Sequence, residues 1–298
     1  MGPELGVVGV SRRFGEQVAL DDVDFRVHPG RMTGFIGANG AGKTTAMRII
    51  LGVLAPDAGR VELGGTELTL PVRARFGYMP EERGLYPKMT ISDQLVYLGR
   101  VRGLDRGTAR RRTAELLEQF GLADRADDQL HTLSLGNQQR VQVAAALVHD
   151  PIMLVLDEPF SGLDPLAMDA MGDHLRERAD AGVPVLFSSH QLELVERLCD
   201  DVVIIHEGRV VAQGEAATLR ADRAGRRVRV VVDAGAPGWA DDVPGVVGAE
   251  YDGQVVVAEL AADADEQALL AAAQRQGPVR ELAPVMPTLA EIFREVIR

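Results

Sequence analysis

Hydrophobic and polar positions alternate along the first 30 residues of the chain. The stretches "LGVVGVSRRF" and "VALDDVDFRVHPG" have a period of two and are interrupted by Gly, Asp and Pro, a pattern that predicts short antiparallel strands. "RMTGFIG" then predicts a buried strand. "KTTAMRIILGVL", residues 43–54, predicts a helix, and its apolar face would contain Met47, Ile49, Ile50 and Leu54.

The hydrophobic period becomes helical from about residue 88 to 150, where apolar positions recur up to Phe120 and Gly121 ends one helix. "IMLVLDEP" follows as a continuous apolar run, which is typical of a strand covered on both faces in a parallel sheet. A helix over 165–180, the strand "VPVLFSSH", the helix "LELVERLCD" and the strand "DVVIIHEGRV" continue the alternation. This order predicts an α/β sheet with an all-helical insert.

The composition changes after Gly214. "EAATLRADRAGRR" reads as a helix end and a charged linker, followed by the strands "VRVVVD", "GQVVVAEL" and "VRELAP" and the helix "DEQALLAAAQRQG". In "PTLAEIFREVIR", Thr288 and Glu291 have the spacing of a capping box. We therefore predict a core domain over 1–221, with a helical subdomain at about 82–150, and a small α+β accessory domain over 222–298.

Composition and charge narrow the class of protein. The chain has 298 residues and a formal net charge of −12, which argues against a nucleic-acid coat or a polybasic membrane patch. Its single cysteine, Cys199, excludes an internal disulfide and is interpreted as a packing residue. The amino terminus lacks the apolar core of a signal peptide, and no apolar run reaches the ~18 residues of a membrane span. We expect a soluble or peripheral protein.

"GANGAGKTT", residues 37–45, lies between the predicted strand and the predicted helix. The residues that fit G-x-x-x-x-G-K-[ST] are Gly37, Gly42, Lys43 and Thr44, and Asn39, Gly40, Ala41 and Thr45 complete the loop. Glycines let backbone N–H groups surround a polyphosphate, and a helix amino terminus favours an anion. We expect Lys43 to reach the β- and γ-phosphates, Thr44 to bind Mg²⁺ and Thr45 to contact phosphate. The alternative is a glycine-rich turn that binds nothing.

Three further candidates stand at predicted strand ends. Asp157 ends "IMLVLDEP", where it can hold the Mg²⁺ shell through water, and Glu158 can polarise an attacking water. His190 ends "VLFSSH", and the carboxyl ends of parallel strands meet at one edge, where it would contact the γ-phosphate and the water. The alternatives are two acids in a turn and a structural histidine.

Taken in order, these motifs resemble the ATP-binding subunits of ABC transporters. "GANGAGKT" is similar to the family's phosphate loop, and "LSLGNQQR" stands where its signature motif stands, about 20 residues before "LVLDE". "SGLD", 161–164, resembles its D-loop, and His190 its switch histidine. The resemblance covers residues 4 to about 220. It implies the P-loop NTPase core of an ABC ATPase, in which an antiparallel β-subdomain joins the parallel sheet.

The resemblance also implies ATP and Mg²⁺ as ligands, with residue roles to match. Phe14 would stack on adenine, unless it is an ordinary packing residue. Ser134 and Gly136 would contact the γ-phosphate of an ATP held by a partner subunit, although Ser134 also suits a simple helix cap. Asp164 of the D-loop belongs to the same nucleotide site.

The chain departs from the family pattern at three positions. Leu135 stands where Gly is usual, Asn137 where Gln is usual, and Glu81 where the family has a glutamine that binds Mg²⁺. A carboxylate still offers oxygen to Mg²⁺ but adds a charge. Glu82 is the alternative for this position, and Glu81 is preferred. Because the serine and the second glycine of the signature remain, we expect a working site.

"PEERGLYPKM" and "LSLGNQQR" resemble the ATPase subunits of export systems of the sodium-extrusion and multidrug kind. The implied function is ATP hydrolysis, with Glu158 as base, that energises a transporter through ATP-driven dimerisation. The implied partners are a separate membrane permease and a second ATPase subunit, identical or related, and no nucleic acid is expected. The implied location is the cytoplasm, peripheral on the inner face of the membrane.

Three alternatives remain at this stage. A soluble ABC ATPase acting on ribosomes or DNA is disfavoured by the single phosphate loop, the absence of sustained heptads and the acidic charge. A regulatory subunit that senses ATP would not need both Glu158 and His190. A phosphotransferase would leave "LSLGNQQR" and "SGLD" without a role.

Overall fold

The computed structural model describes residues 2–82, 84–223, 227–233, 235–261 and 264–297. The chain forms two compact units, one extending to Ala216 and one covering Ala217–Val296. This division falls in the first turn of the helix Ala216–Arg223, whereas the sequence analysis placed the domain boundary after residue 221. The assignment of domains stays a prediction.

The elements alternate along the first unit as the hydrophobic pattern indicates. The strands are β1 (Leu5–Phe14), β2 (Gln17–Val27), β3 (Met32–Ile36), β4 (Ala58–Leu63), β5 (Thr66–Glu67), β6 (Phe76–Met79), β7 (Met153–Leu156), β8 (Val185–Ser189), β9 (Asp201–His206), β10 (Arg209–Glu215), β11 (Arg227–Val232), β12 (Val246–Asp252), β13 (Val255–Leu260) and β14 (Val279–Pro284). The α-helices are α1 (Lys43–Ile50), α2 (Leu70–Arg73), α3 (Ile91–Val101), α4 (Arg106–Gln119), α5 (Leu135–Leu147), α6 (Pro165–Asp180), α7 (Leu192–Leu198), α8 (Ala216–Arg223), α9 (Glu266–Gln276) and α10 (Leu289–Val296).

The first unit contains two sheets. An antiparallel sheet has the order β2-β1-β4-β5, and a second sheet has the order β10-β9-β3-β8-β7-β6. In the second sheet β3, β6, β7, β8 and β9 run parallel, while β10 pairs antiparallel with β9. Every residue of β3, β7 and β8 is buried, as continuous apolar strands covered on both faces should be.

The parallel register brings three chain segments to one edge of the sheet. Ile36 at the end of β3 pairs with Ser189 at the end of β8, and Leu156 at the end of β7 pairs with Phe187. The glycine-rich loop, Asp157 and His190 therefore leave the sheet side by side. Ligands of open α/β sheets bind at this carboxyl edge.

Two predicted elements of the first unit differ in the structure. The helix predicted over 43–54 ends at Ile50, because Gly52 has a φ of +72° and the chain turns back, with the Val53 amide donating to the Arg48 carbonyl. The strand predicted from "DVVIIHEGRV" is a hairpin of β9 and β10, whose turn holds Glu207 and Gly208 at φ values of +46° and +78°. Both errors come from backbone reversals inside apolar runs.

The second unit is an antiparallel sheet with the order β12-β13-β11-β14, packed against α9. Its core contains alternate valines of β11, Leu269 of α9 and neighbouring apolar residues. The sequence analysis missed β12, because this edge strand exposes most of its side chains and lacks a clear alternation. The predicted capping box is confirmed: the Thr288 amide donates to Glu291 Oε2 at 2.8 Å and the Glu291 amide to Thr288 Oγ1 at 3.2 Å. Among the described residues, no helix is long and apolar enough to cross a bilayer.

Candidate nucleotide site

The glycine-rich loop between β3 and α1 needs its glycines for packing as well as for conformation. A Cβ on Gly37 would lie 2.6 Å from the Ile205 carbonyl oxygen, and one on Gly42 would lie 2.7 Å from the Ala19 carbonyl oxygen. Gly42 also has a φ of +110°, which L side chains rarely adopt. The loop is therefore held tightly against its neighbours, and α1 begins directly after it at Lys43.

Lys43 folds back over this loop. Its Nζ donates to the carbonyl oxygens of Gly37, at 2.6 Å, and Ala38, at 3.2 Å, and the residue is only 8% exposed. A buried ammonium group among backbone groups at the start of a helix favours an anion in the same loop. Lys43 thus lies against the predicted phosphate loop, and its contact with phosphate stays a prediction.

An open cleft adjoins the loop and brings together most of the predicted nucleotide and metal residues. It is lined by Phe14, Gln17, Ala19, Ala38, Asn39, Gly40, Gly42, Lys43, Thr44, Thr45, Glu81, Asp157 and Glu158. The Phe14 ring is 48% exposed, and the Arg12 guanidinium lies 5.1 Å from its centre. An exposed aromatic ring at one end and a phosphate loop at the other match the two ends of a nucleotide. Ala41 is a buried member of the same loop.

Thr44 and Asp157, two of the predicted metal ligands, contact each other in this cleft. Thr44 Oγ1 donates to Asp157 Oδ2 at 2.9 Å, and Asp157 is 1% exposed. Glu81 lines the same cleft. Hydroxyl and carboxylate oxygens are the ligands that Mg²⁺ prefers, so these residues fit a magnesium ion held together with a polyphosphate. Burial, reinforced by the charge of Asp157, raises the pKa of the nearby Tyr78 hydroxyl.

Glu158 lines the cleft and contacts His190, which is not itself among the lining residues. His190 Nδ1 lies 3.0 Å from Glu158 Oε2, and the histidine side chain is 61% exposed. Glu158 has a φ of +52°, a backbone conformation that costs a non-glycine residue of the order of 1–3 kcal/mol and persists only with support. Glu158 therefore has an unusual backbone conformation at the sheet edge, and its carboxylate lies beside an accessible imidazole. This arrangement is suited to activating water.

Ser134, Gly136 and Asp164 lie on a different surface from the glycine-rich loop. They line a separate shallow pocket together with Leu135, Asn137 and neighbouring residues. Ser134 is the N-cap of α5, its Oγ 3.4 Å from the Asn137 amide, and Asp164 caps α6 by accepting from the Ala167 amide at 2.9 Å. Leu135 is 56% exposed on this face. Within one subunit, the predicted signature residues do not reach the cleft of the loop.

Two buried residues of the site were missed by the sequence analysis. Ser188 contacts both Asp157 and Glu158, and Gln139 of α5 donates from Nε2 to the carbonyl oxygens of Glu158, at 2.9 Å, and Pro159, at 3.0 Å. The sequence did contain a signal for both residues. Ser188 is a polar residue in a mostly apolar strand, and Gln139 lies on the buried face of a helix. Buried polar groups require hydrogen-bond partners, so both residues could have been suspected of contacting the site.

Comparison with known proteins identifies the family of the chain. The ABC transporter family matches residues 20–161, and the C-terminal domain of DrrA1-3-like ATP-binding proteins matches residues 214–297. The uncharacterized ABC transporter ATP-binding protein YhaQ of Bacillus subtilis is 35% identical over 294 residues, 97% of this chain and 96% of YhaQ. The chain belongs to the ATP-binding proteins of ABC transporters.

Other relatives of this ABC ATP-binding protein have names that state a role. The daunorubicin resistance ATP-binding protein DrrA3 of Streptomyces coeruleorubidus is 38% identical over 229 residues, 76% of this chain and 72% of that protein. A solved ATP-binding subunit of an ABC transporter is 36% identical and superposes with a TM-score of 0.68 over 73% of this chain and 92% of that one. The predicted fold class is confirmed.

The predicted activity is confirmed as well: the chain is an ATPase subunit that drives an ABC transporter. The relatives include proteins named for Nod factor export and for linearmycin resistance. They fit the predicted export-type function and not the alternative of an ABC ATPase outside transport. ATP-binding subunits of this family work with membrane permeases.

Proposed function

We propose that this subunit hydrolyses Mg·ATP in composite sites formed by two ATPase subunits, and that it drives export through a separate permease at the cytoplasmic face of the membrane. The observation that carries the proposal is the separation of two sets of phosphate-binding groups. The glycine-rich loop and the signature residues Ser134 and Gly136 occupy different surfaces of one subunit. A second subunit, facing the first head to tail, would place its signature surface over the cleft of the first.

The residues of the cleft divide the chemistry among them. Lys43 and the loop amides hold the β- and γ-phosphates, Thr45 contacts phosphate, and Phe14 stacks on the base. Thr44, Asp157 and Glu81 would hold Mg²⁺. When bound there, the ion would supply positive charge against the phosphates of the nucleotide.

Glu158 accepts the proton of the attacking water, and His190 orients Glu158 and reaches the γ-phosphate. Ser134 and Gly136 contribute a hydroxyl and an N–H group to the γ-phosphate of the partner's ATP, and Asp164 joins the same interface. Loss of the γ-phosphate removes these contacts, so that the pair separates. The helical subdomain carries this motion to the permease.

Glu158→Gln tests the chemistry and the dimer together. The amide keeps the size of the side chain but cannot accept the proton, so we expect ATP binding and ATP-dependent dimers by light scattering, with turnover lowered about 10²- to 10⁴-fold. Lys43→Ala is the matched control, in which nucleotide binding and dimers should both be lost. Near-normal turnover of Glu158→Gln would remove the role given to Glu158.

The transport partner is tested by purifying the tagged chain from gently solubilised membranes of its own cell, with mass spectrometry of the bound proteins. We expect a polytopic membrane protein in fixed proportion to the ATPase. If ribosomal proteins or nucleic acid co-purify in its place, the proposed coupling to a permease is wrong.

A further inference from the structure

We propose that Ser188 is a positioning residue for ATP hydrolysis, whose hydroxyl fixes the metal-binding carboxylate and the backbone of the base at the same time. The inference rests on the proposed function, in which Asp157 holds Mg²⁺ and Glu158 activates water. Ser188 itself would touch neither the nucleotide nor the metal.

Ser188 is fully buried near the end of β8, beside β7, the strand that Asp157 follows. Its Oγ donates to Asp157 Oδ1 at 2.6 Å and accepts from the Glu158 N–H at 2.9 Å. A serine hydroxyl has one hydrogen to donate and two lone pairs, so one atom satisfies both groups. Two consecutive residues of the neighbouring segment thus depend on a single hydroxyl.

The first consequence concerns the carboxylate of Asp157. Oδ2 accepts from Thr44 Oγ1 at 2.9 Å, so each carboxylate oxygen has a hydroxyl donor and the plane of the group is fixed. Ser188 is the donor that lies outside the proposed ligand set. Hydrogen bonds of this kind orient a ligating carboxylate, and their loss typically weakens metal binding or activity.

The second consequence concerns the backbone of Glu158. Its φ of +52° is rarely adopted by non-glycine residues and needs support from the surroundings. Ser188 Oγ accepts a hydrogen bond from the N–H of Glu158, and Gln139 Nε2 donates to the carbonyl oxygen of Glu158 at 2.9 Å. These bonds hold both peptide groups of Glu158, and the side chain then lies 3.0 Å from His190.

A buried hydroxyl in this sheet does not automatically form hydrogen bonds like those of Ser188. Thr33 of β3 is also fully buried in the same sheet, yet its Oγ1 has no hydrogen-bond partner among the described residues. This sheet therefore accommodates a buried hydroxyl that forms no hydrogen bond with the cleft residues. Thr33→Val provides a matched control in which a hydroxyl of equal burial is removed.

The decisive experiment compares Ser188→Thr with Ser188→Val. The two side chains have nearly the same shape and differ in the hydroxyl, so that any packing defect is common to both. Each folded variant is tested in two ways. Steady-state kinetics give kcat and the Mg²⁺ concentration for half-maximal ATPase activity. Binding of a fluorescent ATP analogue is then measured once in EDTA and once in Mg²⁺. Ser188→Ala gives the same comparison at smaller volume if the larger side chains prevent folding.

We expect Ser188→Val and Ser188→Ala to lose kcat or Mg²⁺ affinity by about 10- to 100-fold, with nucleotide affinity in EDTA unchanged. Ser188→Thr and Thr33→Val should remain close to the wild-type chain. Equal losses in the Thr and Val variants, or a wild-type kcat together with a wild-type Mg²⁺ affinity in Ser188→Ala, would overturn the inference. A wild-type chain without Mg²⁺-dependent ATPase activity would instead overturn the proposed function, and the Mg²⁺ dependence of nucleotide binding would still decide the role of Ser188.

Discussion

Gly136→Ala separates the two interpretations of the signature segment. Gly136 is the second residue of α5, and its φ is not among the positive values that require glycine. A Cβ placed on it would lie 3.5 Å from Leu163 Cδ2 and 3.6 Å from the Gly162 carbonyl oxygen, which are ordinary contacts. Alanine is favoured over glycine in a helix by roughly 0.5–1 kcal/mol, so the single subunit should fold at least as stably as before.

The same methyl group would lie on the surface proposed to meet the partner's γ-phosphate. A backbone hydrogen bond to a charged group is worth about 1.5–3 kcal/mol, and a symmetric dimer would lose one at each of its sites. The loss over the two sites is roughly 3–6 kcal/mol of dimerisation free energy, which raises the dissociation constant of the dimer by at least about 100-fold. We expect ATPase activity to fall with dimerisation, while the affinity of the single subunit for ATP is retained.

The assay is ATP-dependent dimerisation by light scattering in the Glu158→Gln background, with ATPase activity measured in the otherwise wild-type chain and unfolding followed by circular dichroism. Gly107→Ala is the control, because Gly107 is likewise the second residue of its helix, α4; a Cβ there would lie 3.2 Å from Oδ1 of Asp105, which caps that helix, so its unfolding is measured as well. Dimers and turnover of Gly136→Ala that equal those of the control would refute the phosphate contact. Ser134 and Gly136 would then serve only to begin a helix.

Other expectations follow from individual contacts. Thr288→Ala should destabilise α10 by about 1 kcal/mol through loss of the capping box with Glu291, seen as faster amide exchange in the helix. Burial, followed by the charge of Arg102, lowers the pKa of His149 from 6.5 to about 4, so stability is complete above pH 6.5 and falls as the pH drops toward 4. After allowance for partial exposure the loss is about 2 kcal/mol, and urea unfolding of His149→Gln should show a smaller pH dependence. Glu81→Gln should raise the Mg²⁺ concentration for half-maximal ATPase activity about fivefold, since it removes roughly 1 kcal/mol of attraction, and an unchanged requirement would contradict metal binding by Glu81.

The elements that position the site were predictable because their hydrophobic patterns are continuous. The apolar run before Asp157 and the strand before His190 are buried on both faces, as predicted, and the helix 165–180 has the predicted bounds. The pattern failed where a turn lies inside an apolar stretch, as at Gly52, and at the exposed edge strand β12. The hydrophobic period reflects which side chains are buried. A turn inside an apolar stretch and a mostly exposed strand produce no regular alternation of buried and exposed positions, so the pattern does not reveal them.

The candidate site was predictable at the level of residue types and not at the level of contacts. The glycine-rich loop and the acids after β7 follow a local order that the sequence contains. The partners of Ser188 are 30 and 31 positions away, and Gln139 is 19 positions from Glu158. Such pairs are set by the register of neighbouring strands and by helix packing, which no short stretch of sequence encodes.

Gln139 connects α5, which carries the predicted signature residues, directly to Glu158, the proposed base of the same subunit. It is 4% exposed on α5, whose first turn carries Ser134 and Gly136, and it donates to the carbonyl oxygens of Glu158 and Pro159. A helix moves largely as a rigid body, so a displacement of its first turn on meeting the partner's phosphate would reach these carbonyls. Because the backbone conformation of Glu158 is costly and depends on such bonds, a small change in their geometry would move its carboxylate. Each signature would thus act on two sites, completing the partner's nucleotide site with its first turn and adjusting its own base through Gln139.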